Sequence, residues 1–126
     1  MADSSTTKRV LIVEDERPMA QALKIKLDKS GFTTEIASNG EEALKIIDRS
    51  KFDIILLDLV MPRLDGFGVL EELKKNKVAI PVIVASNLGQ ETDIKRAVSL
   101  GAVDYFVKSD ISIAEIIEKI KKALDL

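Results

Sequence analysis

Cysteine, histidine and tryptophan are absent from this chain, and tyrosine occurs once. Without cysteine there is no disulfide and no thiolate zinc site. Without histidine there is no Ser-His-Asp triad, no imidazole base and no imidazole metal ligand. Any bound metal is therefore a hard cation held by oxygen, Mg²⁺ or alternatively Mn²⁺. Long apolar runs are also missing: none nears the roughly 18–20 residues of a membrane span. Met1 to Thr7 is polar and lacks the apolar core of a secretory signal, so a cytoplasmic location is expected, with no membrane contact. Charge of one sign is lacking too. Lys and Arg number 19 against 21 Asp and Glu, a formal net charge of −2, so no direct nucleic-acid footprint is expected. No Gly-rich loop follows the first apolar run, which argues against a nucleotide site.

What is present is one domain's worth of chain: 126 residues, 46% of them apolar. Four short apolar runs each end in a polar residue. Val10–Val13 ends in Glu14 and Asp15, Ile54–Leu57 in Asp58, Val82–Ala85 in Ser86, and Tyr105–Val107 in Lys108. Short β-branched runs without a period mark strands buried on both faces of a parallel sheet. In an open α/β sheet the ligand crevice lies beyond the carboxyl ends of the strands. Three carboxylates, one hydroxyl and one ammonium should therefore converge at one end of one sheet.

The remaining pattern fills in the elements. Residues 1–8 read as a flexible leader and 9–126 as the domain. A strand at about 9–13 precedes a helix that carries Pro18 in its first turn and Met19, Leu23 and Leu27 inward, ended by Gly31. Thr33–Ala37 is a strand. Asn39-Gly40 is expected as a turn before a helix from Glu41 to Ser50, with Ala43, Leu44 and Ile47 inward. Phe52–Leu57 is the most apolar strand and hence the expected centre of the sheet. Met61-Pro62 forces a loop, and Asp65 can cap a helix to about Lys75. Then come a strand at Ile80–Ala85, a helix at Gln90–Leu100, Gly101, a strand at Val103–Val107, and a helix from about Ser112 to Leu124. The order is (βα)₅, and right-handed crossovers make it a parallel five-stranded sheet with helices on both faces. No internal repeat, linker or second domain is visible.

The acidic pair after the first strand, Asp58 followed by Leu-Val-Met-Pro and then Asp65-Gly66, Ser86, Gly101-Ala102-Val103-Asp104-Tyr105, and Lys108 come in an order and spacing that resemble the receiver domain of two-component response regulators. The single-domain chemotaxis and sporulation-relay type is the nearest pattern. The resemblance covers about residues 8 to 125. It implies a doubly wound, flavodoxin-like sheet of order 2-1-3-4-5, with the site at the switch point.

The resemblance also implies roles. Asp58 would be the phospho-acceptor. Glu14, Asp15 and Asp58 would hold Mg²⁺, with Asp15 and Asp58 direct, Glu14 through water, and the backbone carbonyl of Val60 completing the protein ligands. Crowded carboxylates need such a cation. Lys108 would neutralise phosphoryl charge. Ser86 would bond a phosphoryl oxygen and move its loop, opening room for Tyr105 to turn inward. Before that event the Ser86 hydroxyl is expected to have little holding it inward. Each residue alone has a plainer reading: a turn cap for Asp58, a helix start for Glu14 and Asp15, a solvated lysine, a half-buried tyrosine. The expected output face is the fourth helix, fifth strand and last helix, made locally basic by Lys95, Arg96, Lys119, Lys121 and Lys122.

The function implied is a phosphorylation-dependent signalling switch. A histidine kinase or phosphotransfer protein would supply the phosphoryl group, and an unidentified downstream protein would read the result. The chain would be a monomer or weak dimer, and would promote only its own phosphorylation and dephosphorylation. A pseudo-receiver that binds proteins without phosphate is the alternative. A Mg²⁺-dependent phosphatase acting on a separate substrate would need a second acid beside the nucleophile and a substrate cap, and neither is visible.

Two departures from the family pattern stand out. Lys108 is followed by Ser109 where the family usually has proline after a cis bond, so a trans Lys108–Ser109 bond is expected. Val60 and Leu88 are apolar where many members carry polar groups near the attacking water, so slow loss of the phosphoryl group is expected.

Overall fold

Each central strand is apolar on both sides, and the fold covers both. The computed structural model describes residues 7–126. Five parallel strands form one sheet of order β2-β1-β3-β4-β5. The strands are β1 (Arg9–Val13), β2 (Thr33–Ala37), β3 (Ile54–Leu57), β4 (Val82–Ser86) and β5 (Asp104–Val107). The helices between and after them are α1 (Arg17–Lys29), α2 (Gly40–Arg49), α3 (Gly66–Lys75), α4 (Glu91–Ser99) and α5 (Ile113–Ala123). Val10, Ile12, Ile54, Leu56 and Ile83 pack with α1 and α5 on one face. Leu11, Val13, Ile55, Leu57 and Val84 pack with α2, α3 and α4 on the other. Each large side chain buried this way contributes about 1.5–3 kcal/mol relative to exposure. The expected flavodoxin-like sheet is therefore present, with β3 at its centre.

Element ends differ from expectation for local reasons. β3 starts at Ile54 rather than Phe52, because the Asp53 carboxylate takes the Arg9 N–H at 2.8 Å. Phe52 instead lies buried under the Arg9 guanidinium, 4.8 Å from its ring centre. β4 starts at Val82, just past Pro81, which has no N–H to offer, and it runs one residue further, to Ser86. Asn39 is a helix cap, not part of a turn: its side chain accepts the Glu42 N–H at 2.8 Å and α2 begins at Gly40. On α2 the buried residues are Gly40, Ala43 and Ile46, with Leu44 and Ile47 only half-buried. Gly31 and Gly101 end their helices at φ of 96° and 109°, in the left-handed region glycine favours. Asp65 caps α3 as expected, and Ser112 and Glu115 cap α5 reciprocally.

The expected leader falls mostly on residues 1–6, outside the described residues. Lys8 is already tied to the sheet, its carbonyl accepting the Thr33 N–H at 2.9 Å. Among the described residues, no helix is long and apolar enough to cross a membrane.

Candidate functional site

Strand register brings the polar ends together. Val13 lies level with Leu57, Leu57 with Val84, and Ser86 with Val107. Glu14, Asp58 and Lys108 each follow one of these strand ends directly. The Glu14 N–H donates to the Ala37 carbonyl and the Asp58 N–H to the Val13 carbonyl, both at 3.0 Å, so the two acids leave the sheet side by side. Carboxylate oxygens of Glu14, Asp15 and Asp58 lie within 4.8 Å of one another.

Lys108 stands against this cluster. Its Nζ donates to Glu14 Oε1, lies 3.3 Å from Asp58 Oδ2 and lies 3.8 Å from Glu16 Oε1. Glu14, Asp58 and the Lys108 side chain are all at least nine-tenths buried, so these charges interact with little screening. The other Glu14 oxygen accepts the Glu16 N–H at 3.2 Å. Both Glu14 oxygens are thus engaged by the protein, and Asp58 is engaged too, Oδ2 by Lys108 and Oδ1 by the Val60 N–H, which leaves the exposed Asp15 carboxylate the freest of the three for a cation. Burial pushes the Glu14 carboxyl above its usual range, despite the Lys108 bond that pulls it down. Burial pulls Lys108 down, but the Glu14 bond and the Asp58 charge outweigh it and hold its ammonium protonated. The two shifts do not mirror each other, because Lys108 feels two carboxylates and Glu14 is the deeper group.

Three carboxylates with no nitrogen or sulfur donor fit a hard divalent ion. Octahedral Mg²⁺ spaces its oxygens roughly 2.9 Å apart as neighbours and about 4.1 Å across. The observed cluster needs only a small contraction, or a bridging water, to meet that. Val60 follows closely, its N–H 3.5 Å from Asp58 Oδ1 and its side chain 58% exposed. The loop carrying it is pinned on the first turn of α2: the Gly40 and Glu41 N–H groups donate to the carbonyls of Leu64 (3.2 Å) and Arg63 (3.1 Å).

The hydroxyl side of the site corrects one expectation. Ser86 is fully buried, and its Oγ already accepts the Leu88 N–H at 3.3 Å. Tyr105, half-buried, donates its hydroxyl to the Leu88 carbonyl. Ser86 is thus held inward, and Leu88 stands between the two expected switch residues. No signal in the sequence marked Leu88 for this. Among the described residues no peptide bond is cis, so Lys108–Ser109 is trans as expected, and Lys108–Asp110 forms a 3₁₀ turn. On the expected output face the cations are partly spent within the chain. Lys95 pairs with Glu91, Lys121 with Glu118 and Arg96 with Glu71, while Arg96 and Lys119 lie over Phe67 and Phe106.

A doubly wound sheet of order 2-1-3-4-5 with an acidic cluster at its switch point defines a flavodoxin-like α/β domain. The sequence model of the response regulator receiver domain matches residues 10–121, and the chain belongs to that family. It is 40% identical over 106 residues to a probable transcriptional regulator, ycf27, of Guillardia theta, covering 84% of this chain and 41% of the relative. It is 38% identical over 101 residues to the alkaline phosphatase synthesis transcriptional regulatory protein PhoP of Bacillus subtilis, covering 80% of this chain and 42% of the relative. The chain spans about two fifths of the length of these curated relatives. Among solved structures it resembles the Francisella response regulator 1452 receiver domain, with 34% identity, a TM-score of 0.87, and 91% of this chain and 94% of that one covered. It also resembles response regulator TrrA of Thermotoga maritima, a structure in complex with Mg²⁺-BeF, with 34% identity, a TM-score of 0.81, and 92% and 98% covered. Nothing here supports the phosphate-independent alternative: Glu14, Asp15, Asp58, Ser86 and Lys108 all gather at one end of the sheet.

Proposed function

We propose that Asp58 accepts a phosphoryl group, with Mg²⁺ held by Asp15, Asp58 and the Val60 carbonyl, and by Glu14 through water. The observation that carries this reading is the Asp58 carboxylate itself. It is buried, 3.3 Å from an ammonium and within 4.8 Å of two further carboxylates. A lone structural cap has no need of that company.

A carboxylate is a weak nucleophile, so the site works by position and charge. Asp58, fixed at the strand end, meets phosphorus in line. Lys108 offsets charge on the transferring oxygens, and a divalent ion held by Asp15, Asp58 and the Val60 carbonyl would supply Lewis-acid polarisation there. Once phosphorylated, Asp58 presents oxygens to the Ser86 hydroxyl. A charge-assisted bond there is worth roughly 1.5–3 kcal/mol. Gaining it draws Ser86 from Leu88 and disturbs the Tyr105 bond to the same residue, which carries the change to the α4-β5-α5 face.

The chain promotes only its own modification and its reversal. Its donor is a histidine kinase or phosphotransfer protein in the cytoplasm, and a downstream protein reads the altered face. The test is to incubate the protein with Mg²⁺ and acetyl phosphate and follow intact mass. One labile phosphoryl adduct is expected, absent without Mg²⁺ and absent from Asp58→Ala. An unchanged adduct on Asp58→Ala would overturn the assignment.

A further inference from the structure

Lys108 has a third acidic neighbour that the reading above does not use. Glu16 Oε1 lies 3.8 Å from Lys108 Nζ. Glu14 and Asp58 approach the ammonium from the buried side, whereas the Glu16 side chain is 66% exposed and so sits on the solvent side, at the mouth of the site. Glu16 is also the residue before α1, yet its side chain caps nothing there. Its N–H, not its carboxylate, is what holds Glu14. The carboxylate therefore caps nothing in its own helix, while its charge lies beside the ammonium set against an incoming phosphoryl group.

We propose that Glu16 is a selectivity residue for phosphoryl donors, resting on the assignment of Asp58 as acceptor. Its negative charge stands on the solvent side of Lys108 and repels small, highly charged donors that approach unescorted. A protein donor can cover this exposed carboxylate with its own positive groups, so the residue disfavours adventitious donors over cognate ones. In the reaction with acetyl phosphate, an Asp58 oxygen forms a bond to phosphorus as the bond from phosphorus to the acyl oxygen breaks, and acetate leaves with the electron pair. With phosphoramidate, the P–N bond breaks and ammonia leaves from the protonated nitrogen. The first donor is a dianion and the second a monoanion, so one negative charge at position 16 opposes them unequally.

The test compares the full chain with Glu16→Gln and Glu16→Lys in saturating Mg²⁺. Rate constants for phosphoryl uptake are followed by phosphate-affinity electrophoresis, and folding is checked by thermal melting. Glu16→Gln is expected to raise uptake from acetyl phosphate about two- to fivefold, the range of an exposed charge pair. Glu16→Lys should raise it further, and uptake from phosphoramidate should rise less with either variant. The gain should fade near 1 M salt, where the screening length is roughly 3 Å. Spontaneous decay should be unchanged, because the attacking water is neutral. Equal uptake by all three proteins, an equal gain with both donors, a gain that survives salt, or a parallel change in decay overturns the proposal. Failure of the unmodified chain to take up phosphoryl from either donor is a separate result, which overturns the Asp58 assignment and this proposal with it.

Discussion

Ser86 and Tyr105 are joined through a single backbone residue. Leu88 donates its N–H to the Ser86 hydroxyl at 3.3 Å and accepts the Tyr105 hydroxyl on its carbonyl. Any event that pulls on Ser86 therefore reaches Tyr105 with no side-chain relay between them. Leu88, half-buried in the β4–α4 loop, is the joint.

The Tyr105 bond has a spectroscopic consequence. Burial, then the charges of Asp93 and Asp58, hold the Tyr105 phenol above its ordinary value of 10.0. The folded state thus favours the neutral phenol. That contribution to stability is fully present below about pH 10 and is lost as pH rises through the higher folded-state value. The chain has one tyrosine and no tryptophan, so ultraviolet absorbance titrates this group alone. The midpoint should lie above 10 in the folded protein and near 10 in denaturant. Coincident midpoints would contradict the packing described.

Lys108 holds together charges that otherwise repel. Replacing it by methionine leaves Glu14 and Asp58 buried without their cation. Breaking one side of a buried pair typically costs roughly 3 kcal/mol or more. Lys108→Met should lose stability of that order in chelator, with part of the loss restored by Mg²⁺. Urea denaturation in each condition measures both, and a variant as stable as the parent in chelator would refute the arrangement.

Gly66 is required by space. A Cβ there would lie 2.4 Å from the Asp58 carbonyl oxygen and 2.7 Å from Leu59 Cα, both backbone atoms. Gly66→Ala should destabilise by about 1–3 kcal/mol, the usual cost of overpacking, and should slow phosphoryl uptake by shifting the acceptor strand end. A chemical-denaturation midpoint equal to that of the parent would show that the loop gives way freely.

Val60 is exposed beside Asp58 and has no side-chain group that could hydrogen-bond a water. Val60→Asn supplies one hydrogen bond, worth about 1 kcal/mol, so loss of the phosphoryl group should quicken about fivefold. Measured decay of the isolated phosphorylated proteins decides this, and equal lifetimes would show that the side chain at position 60 does not set the lifetime.

Most of the sheet was readable from residue order, because strands buried on both faces need unbroken apolar runs, and those runs alternate with helical stripes. The convergence of Glu14, Asp58 and Lys108 at one end of the sheet is readable for the same reason, since each directly follows such a run. Partner choice inside the site was not. That Lys108 meets Glu14 more closely than Asp58, that Glu16 curls back to it, and that Leu88 bridges Ser86 and Tyr105 all depend on loop paths with no period in sequence. Phe52 was misread as strand because its burial comes from the Arg9 guanidinium and the core beneath, not from a ladder partner. Asn39 was misread as a turn because Asn-Gly serves hairpins and helix caps alike.

The central claim is that one particular carboxylate takes the phosphoryl group. Borohydride reduces an acyl phosphate to an alcohol and so leaves homoserine at the modified aspartate. After phosphorylation in Mg²⁺ and reduction, peptide sequencing should find homoserine at position 58 and nowhere else. Homoserine at position 15, or none at all in a protein that carries the phosphoryl adduct, would contradict the account.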